Sequence, residues 1–427
     1  MSGGISDALN FAPKMAGAKS RSYRVVVNPI GGGSANPGEI IKIDVPTGRG
    51  RHTYMDPSQS FITCQLKSTD AAVMNLDGSA YSLFSRLDVL SGGQILETIS
   101  DYGHTVNTLL DLNQAATDAA VSGSVALGTN YAATNNVDKT GAQLGIGSVA
   151  PTYQDFSLPI ALSGILGAAC SKYIPIGIMS DLRVEFTVEQ AALGVVCASA
   201  NPAWTIQNFT LNLTYLELDP QVAEQIHSAN GGVYKISTEG WRTYSTVGIA
   251  GRASDSVLIP SRFSSSRSFL TTYRQNDQAV SGSYWNAHRV NPYYHPSQKC
   301  SIQYAVGSTL VPQSPIQFGT SEAYTMMLQA FHSLGNAAQN NRCSLTNWNQ
   351  TAYNGTAGSM GSFAVAVNLD SMLFKSKELS VGLSTLTSPV FLQGTFPTAP
   401  TISHRITNMV HYDALLEISE QGVSIRF

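Results

Sequence analysis

Apolar and polar residues alternate along much of the chain. In "LFSRLDVL", Leu83, Ser85, Leu87 and Val89 fall on one face of an extended segment, and Phe84, Arg86, Asp88 and Leu90 on the other. That period of two predicts a half-buried strand. Ser91, Gly92, Gly93 and Gln94 then supply a tight turn before "ILETI", so a hairpin is expected here. The same reading predicts strands in "YRVVV", "EIIKIDV", "SFITCQLK", "FSLPIAL", "YIPIGI", "LRVEFTV" and "FTLNLTYLEL". Further along it predicts them in "VYKIST", "RTYSTVGI", "DSVLIP", "SFLTTY", "CSIQYAV", "PIQF", "SFAVAVNL", "ELSVGL", "SPVFLQGTF", "HYDALLEI" and "VSIRF".

Helical spacing interrupts this pattern in three places. In "HTVNTLLDLNQA", Val106, Leu109 and Leu110 recur at i, i+3 and i+4. In "SEAYTMMLQAFHSLGN", Ala323, Met326, Met327, Ala330, Phe331 and Leu334 do the same, with Ser321 to cap the start and Gly335 the end. The third is "DPQVAEQIHSANGG", where Asp219 suits an N-cap, Pro220 the first turn, and Asn230 with Gly231 the stop. This helix divides the chain into stretches of equal length. Each opens with a strand, and each runs through an alternating strand, a turn, a second strand and a helix in that order. The expected organisation is an N-terminal arm over 1–22, a β-module over 23–218, a helical linker over 219–232 and a second β-module over 233–427. With about eight strands per module, the fold class is all-β: two tandem eight-stranded jelly-roll sandwiches, each with a short inserted helix.

Composition supports a protein that ends up against other protein. Hydrophobic residues make up 43% of the chain and charged residues only 12%, about half the usual ~25%. The net charge of -3 excludes a globally basic nucleic-acid binder but leaves room for a local basic arm. Cys64, Cys170, Cys197, Cys300 and Cys343 are odd in number and far apart, which fits buried thiols in a reducing compartment. The start "MSGGISDALNFAP" has no basic n-region or long apolar run, so no secretory leader is expected. The segment "LPIALSGILGAACSKYIPIGIM" is broken by Pro159, Lys172 and Pro175, and reads as two buried strands around a loop rather than a membrane span.

No motif carries catalytic chemistry. There is no G-x-S-x-G, no H-E-x-x-H and no EF-hand loop, and "GGGSANPG" lacks the Lys-Ser/Thr of a phosphate cradle. His288 and His295 flank a proline at a spacing unlike a metal site. The expectation is therefore no enzyme activity, no cofactor and no small-molecule substrate. Two basic features remain. Lys14, Lys19, Arg21 and Arg24 face only Asp7 in the first 24 residues; they mark an arm that meets partner subunits, a membrane surface or nucleic acid. Arg49 and Arg51, in "TGRGRHTY", are candidates for a subunit contact. An alternative reading is a carbohydrate-binding sandwich, a lectin or glycosidase-like protein, with Tyr284, Trp285, Tyr293 and Tyr294 as an aromatic platform.

The order of "VPTGRGRHTYMDPSQSFI", "LDGSAYSLFSRLDVLSGGQILETI", "LIPSRFSSSRSFLTTYR", "SEAYTMMLQAF" and "VHYDALLEISEQGVSIRF" resembles the double jelly-roll major capsid proteins of double-stranded DNA viruses, the adenovirus hexon lineage, in their compact form. The resemblance implies a homotrimer shaped as a pseudo-hexameric capsomer. It further implies an icosahedral shell made of such capsomers around the genome, and no catalytic residues. It also implies neighbouring capsomers, penton and minor capsid proteins as partners, and the arm turned inward toward an inner membrane or the genome. The place of such a protein is the virion, assembled in the host cytoplasm or nucleus.

Overall fold

The computed structural model describes residues 19–70, 74–76, 78–113, 153–170, 172–197, 199, 201–275, 288, 301–317, 320–330, 364–370, 382–397, 399 and 403–427. The first half holds β1 (Ser20–Val27), β2 (Ile40–Asp44), β3 (Thr53–Ser68), β4 (Met74–Leu76), β5 (Phe84–Ser91), β6 (Gln94–Ser100), α1 (Tyr102–Asn113), β7 (Tyr153–Pro159), β8 (Arg183–Val188), β9 (Val195–Cys197) and β10 (Trp204–Leu218). After α2 (Pro220–Ala229), the second half holds β11 (Val233–Gly248), β12 (Ser254–Ile259), β13 (Ser266–Gln275), β14 (Ser301–Val306), β15 (Thr309–Gln317), α3 (Ser321–Ala330), β16 (Val365–Asn368), β17 (Val390–Thr395), β18 (His404–Ser419) and β19 (Gly422–Arg426).

The pairing is that of a jelly roll, twice. In the first half β1 pairs with β10, β2 with β8, β3 with β7 and β5 with β6, all antiparallel. These pairs interleave into two four-stranded sheets, β1-β10-β3-β7 and β2-β8-β5-β6. The second half repeats this strand for strand as β11-β18-β13-β16 and β12-β17-β14-β15. α1 follows β6 as α3 follows β15, so the inserted helix occupies one place in both. A small β4-β9 ribbon is added to the first half, and β19 extends the second along β18. Among the described residues no strand pair joins the halves.

Alternation explains the cores. In β8 the pattern of half-buried and buried residues puts Val184, Phe186 and Val188 inside. Phe186 meets Phe84 at 5.4 Å and Phe209 at 5.6 Å between ring centres, geometries in which aromatic pairs add to simple burial. In the second half Phe269 packs on Tyr304, whose hydroxyl shares a 2.7 Å hydrogen bond with Thr271. Asp219 caps α2 as expected, accepting from the Gln221 N–H at 3.0 Å.

Several expectations need correction. Phe84 does not lie opposite Leu87 and Val89: a bulge between Phe84 and Arg86 resets the alternation and turns Phe84 into the core. Ser79 and Ser82 are fully buried. Ser79 caps a short helical turn over Ala80–Leu83, and Ser82 donates to the Gly194 carbonyl at 2.8 Å. "YIPIGI" is not a strand. Only Ile174 makes a bridge, to Met55, and the described residues of 161–170 and 172–179 otherwise run through turns and irregular backbone, with Pro175 unable to donate to a ladder. "VYKIST" and "RTYSTVGI" are one continuous strand, β11. β1 begins at Ser20, three residues before the expected strand start at Tyr23. "ELSVGL" up to Val381 and the expected cap Gly335 lie outside the described residues. Cys64, Cys170 and Cys197 are free thiols; burial pushes Cys64 up to about 12.

Candidate assembly interface

The two halves meet where α1 lies across the outer face of the β11-β18-β13 sheet. Register sets that face. Thr243 pairs with Met409 and Ser245 with Thr407, while Leu270, Thr272 and Arg274 pair with Met409, Thr407 and Arg405. These residues point away from the core that Phe269 and Tyr273 line. α1 covers them. Leu109 and Leu112 belong to the hydrophobic cluster of the second half. His104 Nε2 is 2.9 Å from Thr272 Oγ1, and Thr105 Oγ1 is 3.1 Å from Thr243 Oγ1. Every described α1 side chain except the half-buried Leu110 is buried, which a helix wedged between two sheets requires.

Charge concentrates at the same junction. Asp101, immediately before α1, has a φ of 48°, a left-handed conformation that Asp tolerates. Arg405 donates to both its carboxylate oxygens, at 2.7 and 2.9 Å. Arg274 stands 3.5 Å away, and Ser245 donates to it. Burial alone would raise Asp101, but the guanidiniums of Arg274 and Arg405 outweigh it and hold the carboxyl below its ordinary value. His104 is pushed well below the ordinary histidine value, by burial first and then by Arg274 and His288. Burial raises Glu97, which accepts from Ser163 Oγ at 2.6 Å and from the Gly164 N–H at 2.8 Å. Gly164 is tight against the second half: a Cβ there would sit 2.6 Å from the Glu239 carbonyl oxygen.

Further along the seam, Trp241 stacks on His411 with ring centres 4.6 Å apart. His411 lies 3.1 Å from Glu239, and Arg267 bridges Glu239 and Asp370. The hydrogen bond from His411, with Arg267 behind it, holds Glu239 down at about 2. A cleft of about 270 Å³ opens here between Glu239, Trp241 and His411 on one side and Pro57, Ser58 and Ser60 of β3 with the segment after β7 on the other.

The basic residues singled out from sequence are dispersed. Lys14 lies outside the described residues. The Lys19 carbonyl accepts from the Asp219 N–H at 3.0 Å, so the chain is already tied down there. Arg21 and Arg24 belong to β1 rather than to an arm. Arg24 donates to Asn212 Oδ1 at 2.9 Å and covers the Phe61 ring. Arg51 pairs within the chain, at 3.1 Å from Glu224 and 2.7 Å from Glu420, tying the first half to α2 and the β18–β19 turn. Arg49 lies over Tyr215. The platform Tyr284, Trp285, Tyr293 and Tyr294 lies outside the described residues, as does His295. Among the described residues no three His, Cys, Asp or Glu side chains are placed to hold a metal ion, and no helix is long and apolar enough to cross a membrane. Sequence reasoning missed Asp101, Arg274 and Arg405. The visible signal was a lone arginine closing the otherwise uncharged strand pattern "SFLTTY".

No protein-family model matches the sequence, and no curated protein matches it. Solved structures do match. VP54 of the virus PBCV-1 superposes with a TM-score of 0.62 at 11% identity, over 96% of this chain and 98% of that one. A chain of the Sputnik virophage gives 0.60 at 11% identity over 100% and 93%. The Faustovirus major capsid protein gives 0.58 at 9% identity over 95% and 91%. These neighbours are double jelly-roll major capsid proteins of double-stranded DNA viruses, and this chain shares their fold along its whole length.

Proposed function

We propose that this chain is a viral major capsid protein: a structural subunit that trimerises into pseudo-hexameric capsomers, which tile an icosahedral shell in the virion. The observation that carries this is the double jelly roll itself, repeated strand for strand and matched end to end by capsid proteins. Low charge and exposed apolar residues such as Val26, Ile95 and Leu258 suit a subunit that must bury large surfaces against its own copies. No observation favours carbohydrate binding. The reading includes a first jelly roll over 23–218, a linker over 219–232 and a second jelly roll over 233–427, with β1 reaching back to Ser20. The segment before it, Lys14 included, is read as an inward arm toward genome or membrane. Penton and minor capsid proteins complete the partners, and the host cytoplasm or nucleus is the place of assembly. The role is structural, without enzyme activity, cofactor or small-molecule substrate.

Electron microscopy of the full chain expressed alone tests this. Six-lobed particles with threefold symmetry are expected, and single two-lobed particles at every concentration would refute it. Deleting residues 2–18 should leave such particles intact while shells become sparse or mis-sized; normal shells would remove the arm from the proposal.

A further inference from the structure

The cleft at the seam is built rather than left over. The segment after β7 that forms one wall is anchored at successive residues. Tyr81 donates to the Pro159 carbonyl at 2.6 Å and Tyr102 to the Ala161 carbonyl at 3.1 Å. Ser163 Oγ and the Gly164 N–H both donate to Glu97, and Thr238 of the second half donates to the Gly164 carbonyl. Between these anchors Leu162, which lines the cleft, has a φ of 63°. A bulky residue in that region is a conformational outlier. It persists where the surroundings over-determine it, and such strain gathers at ligand clamps. Wall and floor touch at Gly164, and they part where Gly167, Ala168 and Ala169 present no long side chain. The cleft is therefore held open by its own framework.

The floor supplies the chemistry. Trp241 and His411 lie stacked, and the Glu239 carboxylate stands beside them with its side chain 43% exposed. One carboxylate oxygen accepts from Arg267 and the other lies 3.1 Å from His411 Nε2. A carboxylate has about four lone-pair sites, so each oxygen keeps one for a further donor. Arg267 also lies within ion-pair distance of Asp370 and Asp413. One guanidinium is thus shared among three carboxylates, and it does not neutralise Glu239 alone. An anion would be repelled here, and a neutral apolar molecule would strip water from a charged group without replacing it. A donor that carries positive charge does neither. An aromatic body suits the remaining surface, the ring pair on one side and small apolar residues on the other. At about 270 Å³ the space falls just below the ~300 Å³ where pockets for drug-sized ligands begin, so the occupant is of fragment size.

We propose that this cleft binds a small organic cation, an ammonium or amidinium on an aromatic body, with the charged head donating to Glu239 and the ring between Trp241 and the wall at Ala168. Such a ligand touches both halves of the chain at once, and by binding the folded form it stabilises their junction. The site stands apart from the capsid-subunit reading and does not depend on it.

The test uses the full chain, with phenethylammonium as the probe and 2-phenylethanol as its neutral counterpart, followed by saturation-transfer NMR. Phenethylammonium should bind saturably with a Kd of about 1 mM or below, and 2-phenylethanol at least about tenfold more weakly. Glu239→Gln should weaken the cation by about tenfold and leave the alcohol unchanged. Ala168→Leu, at an exposed position, should fill the cleft and abolish saturable binding of both while circular dichroism and melting stay as in the parent chain. If Glu239→Gln disturbs folding by stranding Arg267, the alcohol and Ala168→Leu decide. No saturation by about 10 mM, equal binding of the alcohol, or undiminished binding in Ala168→Leu overturns the site.

Discussion

Asp101 is a residue of the first half whose partners lie in the second. Its carboxylate is held by Arg405, Arg274 and Ser245. Removing one member of a buried ion pair strands the other. Asp101→Asn should therefore cost about 3 kcal/mol, measured by urea unfolding. The conservative change keeps the shape, so a cost near zero would mean that the arginines are satisfied elsewhere. His104 sets a pH dependence. Its folded value lies below the ordinary one, so the unfolded chain takes up a proton below about pH 6.5 while the folded chain does not. Stability should fall as pH drops from 7 to 5, and His104→Gln should make that slope shallower by about one proton. An unchanged slope would show that His104 does not titrate in this way. None of this was legible in "SDYGHTV", because an Asp before a helix and a His within it look the same whether they face water or a second domain. The residues that answer them, Thr272, Arg274 and Arg405, lie far along the chain.

At the scale of elements, the strands with clear alternation were legible, and so were the hairpin turn at Gly92 and Gly93, the cap at Asp219 and both inserted helices. Their signals are local: positive φ at two glycines, an Asx cap, a helical stripe. What escaped was set by tertiary context. The bulge at Phe84 is paid for by a place among Phe186 and Phe209, which lie a hundred residues away. The apolar run around Ile174 and Ile176 reads as strand but serves as buried loop. The helix α1 showed an apolar stripe in sequence, but not that its far side would be buried too. Leu112, 1% exposed, belongs to the core of the other half. Leu112→Ala should cost about 2–5 kcal/mol, and hydrogen exchange should show faster opening of β13 and β18 than of β5 and β8. Faster opening confined to the first half would contradict the wedge.

At the scale of the molecule, the duplication was legible because it lies in the order of elements rather than in residue identity. Internal equivalence survives where similarity to other chains has fallen to about 11% identity. The chain carries two equivalent sheets, β1-β10-β3-β7 and β11-β18-β13-β16, and among the described residues a helix, α1, covers the second. The most direct test is native mass spectrometry of the purified full chain, of 45.5 kDa, across a range of concentrations. A dominant species at three times the chain mass is the expected result, and a monomer persisting at the highest concentration would contradict assembly as the function of this fold.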